Sequence, residues 1–566
     1  MSNDHTVNLL RALHAKKLNR RSMMAAAAMM PAAGLLAGST VLVSPVRSAR
    51  AQMDPRTLVM LDNIQGGNWL YFDPGKMYEI NPAAGFQLNY ECLYHIPDGY
   101  QIGVIEPLLA EGDPEFSDDG LTATIKLKTG VKFHNSGNEM TAADWVWSWD
   151  RLKNLKSNPS FLVTDFMESY KAVDDSTLEI KLLAPNAALK AVLTSLPLSV
   201  MDSKVAQEHG GVAEEGADQS DKLTDWLNEG NSAGTGPYLL TGWDITSEIT
   251  IEANPDYWGD PAGFDRIIFR NVADTSTQLQ LLETGEADMA FAADPDKMQQ
   301  ILDNPGLQLI EGPSLAYEYL ALNTSEEVGG PLAKKEARQA IAHAIDYQGI
   351  IDGLMGGRAV RPATVVPLGL LGADAVAENA FTTDLAKAKE LWDASGNGPT
   401  ELTLTYGAGQ TAPGGLNRDV LSAKLQADIQ GIEGVTVKLL PMDPTQRLAD
   451  YRAAKLQFTM SDWSPDYADV HTYAQPFGAT GGAAAKRVAY SNPEVDKLLD
   501  EGIAQTDEAQ REATYVKIQE ILQDDSAFIV EFQPNYVVPA VASIKGAAPH
   551  GIYIVQLRYA TREEGA

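Results

Sequence analysis

The sequence predicts an α/β protein of two or three domains behind an export signal. Three observations carry that expectation. At 566 residues, 44% hydrophobic and 21% charged, the chain is too long for one simple core. Helical and strand periodicities alternate along the body instead of falling into separate blocks. The first 51 residues differ in kind from everything after them.

That leading segment carries seven basic residues, Arg11, Lys16, Lys17, Arg20, Arg21, Arg47 and Arg50, against one acidic residue, Asp4. Arg20-Arg21 precedes an Ala/Met/Leu/Gly-rich stretch from Met23 to about Val43, and Ala49-Arg50-Ala51 stands before Gln52. A charged start, an apolar middle and a small-x-small cut site, in that order, predict a signal peptide over 1–51. The paired arginines and modest hydrophobicity point to the twin-arginine route, with Met23 and Met24 departing from its usual Phe-Leu. Pro31 and the Gly and Ser residues argue against an uncleaved spanning helix. The cut site has no Cys to be lipidated, so the expected product is free, soluble and periplasmic, cleaved after Ala51.

Along the body, Ile125, Leu127, Val131 and Phe133 alternate with polar residues around Thr129-Gly130, which predicts a hairpin with one buried face. Thr141-Ala-Ala-Asp144 matches a capping box, and Trp145, Trp149 and Leu152 follow at helical spacing, so this helix buries an aromatic stripe. From Thr275 to Phe291 the pattern reads helix, Gly285 as C-cap, then a strand from Ala287. Ala and Ile recur at helical spacing from Lys335 to about Met355, before Gly356-Gly357. Ser491-Asn-Pro493 opens a helix with Val495, Leu498, Leu499 and Ile503 on one face. Phe528 to Phe532 reads as a buried strand, and Phe477–Ala485 as an exposed loop.

Composition excludes several functions. A net charge of −32 repels phosphate backbones, so no nucleic-acid partner is expected. One cysteine, Cys92, rules out an intrachain disulfide or a Cys-rich metal cage, and the eight His, among them His95 and His134, show no ligand spacing. There is no P-loop, G-x-G-x-x-G, H-E-x-x-H or EF-hand loop. Gly230-Asn-Ser232-Ala-Gly234 matches the hydrolase G-x-S-x-G pattern, but Trp226-Leu-Asn-Glu-Gly230 is no apolar strand, and the reading requires a Ser–His pair within hydrogen-bond reach. No catalytic residue, cofactor or metal is expected. An exported α/β chain without catalytic signature reads as a binder, with its site in a cleft between domains.

Several segments resemble the large extracytoplasmic solute-binding proteins of peptide/nickel ABC importers, solute-binding family 5. They include Asn89-Tyr-Glu-Cys-Leu93, Phe116-Ser-Asp-Asp-Gly-Leu121, Ile125 to His134 with Met140-Thr-Ala-Ala-Asp144, Gly234-Thr-Gly-Pro-Tyr238 and Ala253-Asn-Pro-Asp-Tyr-Trp258. Thr284-Gly-Glu-Ala-Asp288, Tyr319-Leu-Ala-Leu-Asn323 and Ser491-Asn-Pro-Glu-Val-Asp496 continue the series, which spans about 58–546 in the family's order. Cys92 stands where the family usually has Gly, near the expected cleft.

The resemblance implies a two-lobe, flytrap-like periplasmic-binding-protein fold with an extra inserted domain. Lobe I would comprise 52–94, 200–274 and 536–566, the inserted domain 95–199, and lobe II 275–535. It implies oligopeptides or dipeptides bound between the lobes by a monomer and delivered to ABC transporter permease subunits in the inner membrane. A nickel chelate, an oligosaccharide, an opine or a modified amino acid is the alternative ligand. Trp463-Ser-Pro-Asp466 resembles the loop whose Asp takes a peptide's α-ammonium. Tyr90, Glu91, Tyr317 and Tyr319 are candidate walls, and Arg361 or Arg358 a candidate fork for a ligand carboxylate. An exported hydrolase using Ser232 and a holder of unfolded peptides are the remaining alternatives.

Overall fold

The computed structural model describes residues 54–66, 69–97, 103–291 and 294–563. The expected signal peptide lies outside the described residues. A mixed sheet of twelve strands runs through the molecule. From edge to edge its main path is Val435–Met442, Thr400–Gly407, Phe458–Trp463, Tyr317–Leu322, Phe528–Val541, Met289–Ala290, Thr57–Asp62, Arg266–Asn271, Glu248–Ala253 and Tyr238–Asp244. Leu307–Pro313 and Ala359–Val360 pair alongside the long strand Phe528–Val541.

That strand belongs to both lobes. Its first half pairs with Tyr317–Leu322 and its second with Leu307–Pro313. The sequence reading stopped at Phe532. The strand continues to Val541 because residues 528–541 stay buried but for Asn535 and Val537, each half-buried. Core packing divides at the same place. Leu58–Cys92, Leu196–Leu307 and most of Val538–Ala560 supply one apolar core, and Leu315–Phe532 supply two more, one of which also takes in Ile96 and Ile552. Residues 275–313 pack with the first core, so the outbound crossing lies at 314–316, not at the expected 275.

A separate four-stranded sheet, Glu115–Phe116, Thr122–Lys126, Thr177–Leu182 and Met167–Asp174, packs with the helix Ala142–Leu155 around its own core. The capping box forms, with the Thr141 N–H donating to the Asp144 carboxylate at 2.9 Å, and Trp145, Trp149 and Leu152 are buried as the spacing predicts. The hairpin at Thr129-Gly130 does not form. Thr122–Lys126 pairs instead with Thr177–Leu182, and residues after Gly130 fold back on themselves, Met140 N–H reaching the Val131 carbonyl at 2.8 Å. Positive φ at Asn135 and Gly137 makes that tighter turn. All four alternating apolar residues still reach one core.

Elsewhere the pattern holds with local corrections. The helix Thr275–Thr284 ends at left-handed Gly285, with its strand only at Met289–Ala290. The helix from Lys335 stops at Ala344, since Asp346 turns out to cap a second, π-type segment, Gly349–Leu354. Phe477–Ala485 is no exposed loop. Phe477 ends the helix His471–Gly478 fully buried, Ala484 and Ala485 are buried too, and the exposed tip is Thr480–Gly481. The family-like Gly234 and Gly236 press against the backbone carbonyls of Asn89 and Leu88, where any Cβ would collide.

Two buried charge clusters fix the packing. Arg151 forks onto Asp73 with both bonds at 2.7 Å and onto Asp221 at 2.8 and 2.9 Å, tying the inserted helix to the first lobe. Burial alone would raise Asp73, but Arg151 outweighs it and holds the carboxyl below its usual range. In the second lobe Arg418 pairs with fully buried Glu318 at 2.7 Å. Glu531 lies beside them, fully buried, with neither carboxylate oxygen hydrogen-bonded. Burial, and then repulsion from Glu318, pushes Glu531 well above its usual value, so the native state holds it as the neutral acid.

A raised native pKa gives a contribution that is complete below the unfolded value near 4.5 and is lost as pH rises toward the native one. Replacing Glu531 with Leu removes that penalty. Thermal melting should show a gain that grows from pH 5 to pH 8, reaching about 1–4 kcal/mol. A variant whose advantage shrinks toward pH 8 would contradict this account of Glu531.

Candidate functional site

The strand Phe458–Trp463 ends at the junction of the lobes, and Pro465 turns the chain so that Asp466 faces the first lobe. The Tyr78 hydroxyl donates to Asp466 Oδ1 at 2.7 Å, and the Ser195 hydroxyl donates to the Asp466 backbone carbonyl at 3.1 Å. A pocket of about 390 Å³ opens beside this contact, walled by Met77, Ile80, Leu162, Ile552 and Tyr553. Its charged lining residues are Asp466 and Glu79, both acidic. Burial raises the Asp466 carboxyl above its usual value, and Tyr78 only partly offsets this. The site therefore offers a half-buried carboxylate with one neutral donor and apolar walls, an arrangement that favours an arriving cation.

Tyr90 and Glu91 line a second, larger cavity of about 560 Å³, together with Cys92, His95 and His550. Tyr90 stacks on Phe86 with centroids 4.7 Å apart and is otherwise core. Glu91 is engaged by the protein itself. Arg558 and Tyr257 donate to one carboxylate oxygen, both at 2.8 Å, and Thr235 and Trp258 to the other, both at 2.9 Å. The buried Cys92 thiol donates to the Ser195 carbonyl at 3.3 Å, so this residue lies one hydrogen bond from the Asp466 contact. Burial lowers His95 to about 4 and His550 to about 3, which keeps the cavity's imidazoles neutral near pH 7.

Tyr317 and Tyr319 share one face of their strand, both fully buried against Phe477. The Tyr319 hydroxyl meets the Tyr451 hydroxyl at 3.2 Å, while that of Tyr317 has no partner. Trp463 sits directly opposite Tyr317 in the ladder and packs edge-on against Phe477. Arg361 is placed elsewhere. Its guanidinium lies on the Tyr347 ring and donates to the Phe381 carbonyl, lining a different cavity behind the long strand. Arg358 is ion-paired with Glu311 at 3.1 Å. The structure thus brings Trp463, Asp466 and Tyr317 to one region, and puts Tyr90 and Glu91 in the neighbouring cavity.

The Ser–His contact that the hydrolase alternative requires is present. His134 Nδ1 lies 2.6 Å from Ser232 Oγ, and His134 Nε2 lies 2.8 Å from the Gly236 carbonyl. Asn89 completes the chain at 2.9 Å from Ser232. With His134 Nε2–H donating to Gly236, Nδ1 accepts from Ser232, and the amide of Asn89 is best oriented with its NH2 toward Ser232. The chain is a clamp between three loops. His134 and Ser232 are buried, and neither lines a described cavity. Sequence reading found Ser232 but not its partner, which is 98 residues away. It also missed Tyr78, Ser195 and Tyr553, none of which belongs to a pattern or spacing visible before folding.

A two-lobed receptor with a polar, apolar-walled site between the lobes is the class that this fold and geometry define. Comparison with known proteins makes it specific. The family model for bacterial extracellular solute-binding proteins, family 5, matches residues 104–485, and the chain belongs to that family. It is a binding protein of the extracytoplasmic space and not an enzyme. Over 434 residues it is 29% identical to the probable D,D-dipeptide-binding periplasmic protein DdpA of Escherichia coli (strain K12), covering 76% of this chain and 80% of that one. Over 518 residues it is 30% identical to the glutathione-binding protein GsiB of Pectobacterium atrosepticum, covering 88% and 91%. The Helicobacter pylori periplasmic binding protein DppA, solved with the peptide STSA, superposes with a TM-score of 0.71 at 24% identity over 90% of this chain and 98% of that one, a likeness of fold.

Proposed function

We propose that this chain is the periplasmic peptide receptor of an ABC importer. It takes oligopeptides or dipeptides between its lobes and hands them to permease subunits in the inner membrane. The observation that carries the reading is Asp466, a half-buried carboxylate at the contact between lobes, with raised pKa and no cationic neighbour lining its pocket. A peptide's α-ammonium supplies the missing charge. Relatives described as binding a D,D-dipeptide and glutathione, and a structural neighbour holding a peptide, support the same class of ligand. The aromatic and aliphatic walls accept varied side chains through apolar contact. Export would follow the twin-arginine route, with cleavage after Ala51, and the lobes would divide broadly as the resemblance implies.

Asp466→Asn should weaken binding of a free-amine peptide by about 2–4 kcal/mol, roughly thirty- to a thousandfold in calorimetry. An N-acetylated peptide should bind the wild type poorly and feel the substitution much less. Equal affinity of variant and wild type for a bound free-amine peptide would refute the ammonium assignment. Wild-type affinity should also fall as pH drops through the raised Asp466 pKa, because the protonated acid offers no charge.

Replacing Arg20 and Arg21 together with Lys should leave the precursor in the cytoplasm, while N-terminal sequencing of the exported wild type should read Gln52 first. Undiminished export of the double variant would assign the general secretory route instead.

A further inference from the structure

We propose that the cavity lined by Cys92, His95 and His550 is a side-chain pocket of this receptor, selecting an uncharged ligand side chain that ends in a hydrogen-bond acceptor, and that His550 reads that acceptor. This rests on the peptide reading above and adds a specificity that neither the sequence pattern nor the family match assigns.

The cavity, of about 560 Å³, adjoins the pocket beside Asp466. Tyr553 lines both, and the consecutive residues Ser195 and Leu196 line one each. The Cys92 thiol donates to the Ser195 carbonyl at 3.3 Å, and the Ser195 hydroxyl donates to the Asp466 carbonyl at 3.1 Å. A ligand held by its ammonium at Asp466 therefore has this cavity as the neighbouring space for the side chain of its first or second residue.

One wall is the C-terminal hairpin, Ala548–His550 paired with Ile554–Gln556. Its turn fixes the His550 ring. The Ile552 and Tyr553 N–H groups donate to His550 Nδ1 at 3.1 and 3.0 Å, and the Tyr553 ring stacks on the imidazole with centroids 4.9 Å apart. An Nδ1 that accepts two backbone bonds carries no proton, so the proton sits on Nε2. His550 is only 4% exposed, and its Nε2–H has no acceptor among the described residues. A buried donor without an acceptor is costly, and the group that completes it must bring a lone pair.

The rest of the lining disfavours a charged group. Glu91 and Arg558 are paired with each other at 2.8 Å, and the other Glu91 oxygen accepts from Thr235 and Trp258. Neither is left to meet an ion. Burial, and then Arg558, lowers His95 to about 4, so it too is neutral near pH 7. A carboxylate or ammonium entering here would give up its hydration and gain no counter-charge. Leu88, Leu108 and Leu196 suit an apolar stem. A carboxamide or a hydroxyl on such a stem fits both the walls and the waiting donor.

The exported protein is titrated by calorimetry with two tripeptide series, X-Ala-Ala and Ala-X-Ala, in which X is Gln, Glu, Lys, Leu or Gly. In one series Gln should bind tightest, by roughly tenfold or more over Glu, Lys and the apolar Leu. His550→Phe keeps a stacked ring and removes the N–H. It should bring Gln down to the affinity of Leu, with the Leu peptide changed less than about threefold. His95→Trp fills the cavity from a half-buried position and breaks no side-chain hydrogen bond among the described residues. It should cost the Gln peptide roughly tenfold or more and the Gly peptide less than about threefold. Should His550→Phe fail to melt cooperatively, His95→Trp and the wild-type series decide. Equal affinity for Gln, Glu and Leu in both series overturns the proposal, as does a preference for Glu or Lys, or no binding by any peptide. A Gln preference that survives either substitution, or equal loss of Gln and Leu binding in His550→Phe, overturns it as well. If Asp466→Asn binds every peptide like the wild type while the Gln preference holds, the ammonium reading fails and the pocket stands. If Asp466→Asn weakens all peptides alike and no X is preferred, the pocket alone is rejected.

Discussion

The lobes of this protein are joined by two antiparallel crossings, and the rest of the structure depends on how those crossings are held. At Pro313–Ala316 and Gln533–Asn535 each crossing carries a proline, and side chains reinforce the backbone bond that remains, from the Ser314 N–H to the Pro534 carbonyl at 3.1 Å. The Ser314 hydroxyl donates to the Pro534 carbonyl at 2.7 Å, and Gln533 Nε2 donates to the Ser314 carbonyl at 2.6 Å. Gln533 Oε1 in turn accepts from the Leu368 N–H at 2.9 Å. Strand hydrogen bonds continue on either side of this point, Leu307–Pro313 with Asn535–Val541 and Glu318–Ala321 with Phe528–Phe532. Backbone rotation concentrated in a few such residues lets one packed body turn against another without disturbing either core.

What the crossings allow, the contacts across the cleft decide. Tyr78 and Ser195 on one side meet Asp466 on the other. Farther out, Tyr467 inserts into the core of the inserted domain, edge-on to Phe166, and the Ala187 N–H reaches the Ile503 carbonyl at 2.9 Å. None of these contacts is a strong ion pair. The strong pairs, Arg151 with Asp73 and Asp221 and Arg558 with Glu91, lie on the first-lobe side, and Arg418 with Glu318 lies in the second lobe. This distribution places the strong pairs within each lobe and leaves only modest interactions between the lobes.

Much of the architecture was legible because it depends on local chemistry. The capping box at Thr141 and Asp144, the aromatic stripe of Trp145 and Trp149, and the Gly285 C-cap each follow from residues within a few positions of one another. Reading failed where distant segments decide. The chain turns back at Asn135–Gly137 and not at Thr129-Gly130, and the tip of that turn is held to the Gly234 loop, where the His134 N–H meets the Gly234 carbonyl. The candidate site shows the same division. Trp463 and Asp466 stood in one short motif. Tyr78 and Ser195 come from segments that only folding brings near them. Glu91 looked like a ligand group because a carboxylate in a family-like loop invites that reading, and its four protein donors come from residues 144 to 467 positions away.

The central claim is that ligand closes the two lobes about the paired crossings. Small-angle X-ray scattering on the exported protein, with and without a retained free-terminus peptide at saturation, tests it most directly. The account predicts a smaller radius of gyration with peptide than without it. An unchanged radius under saturating peptide would contradict it.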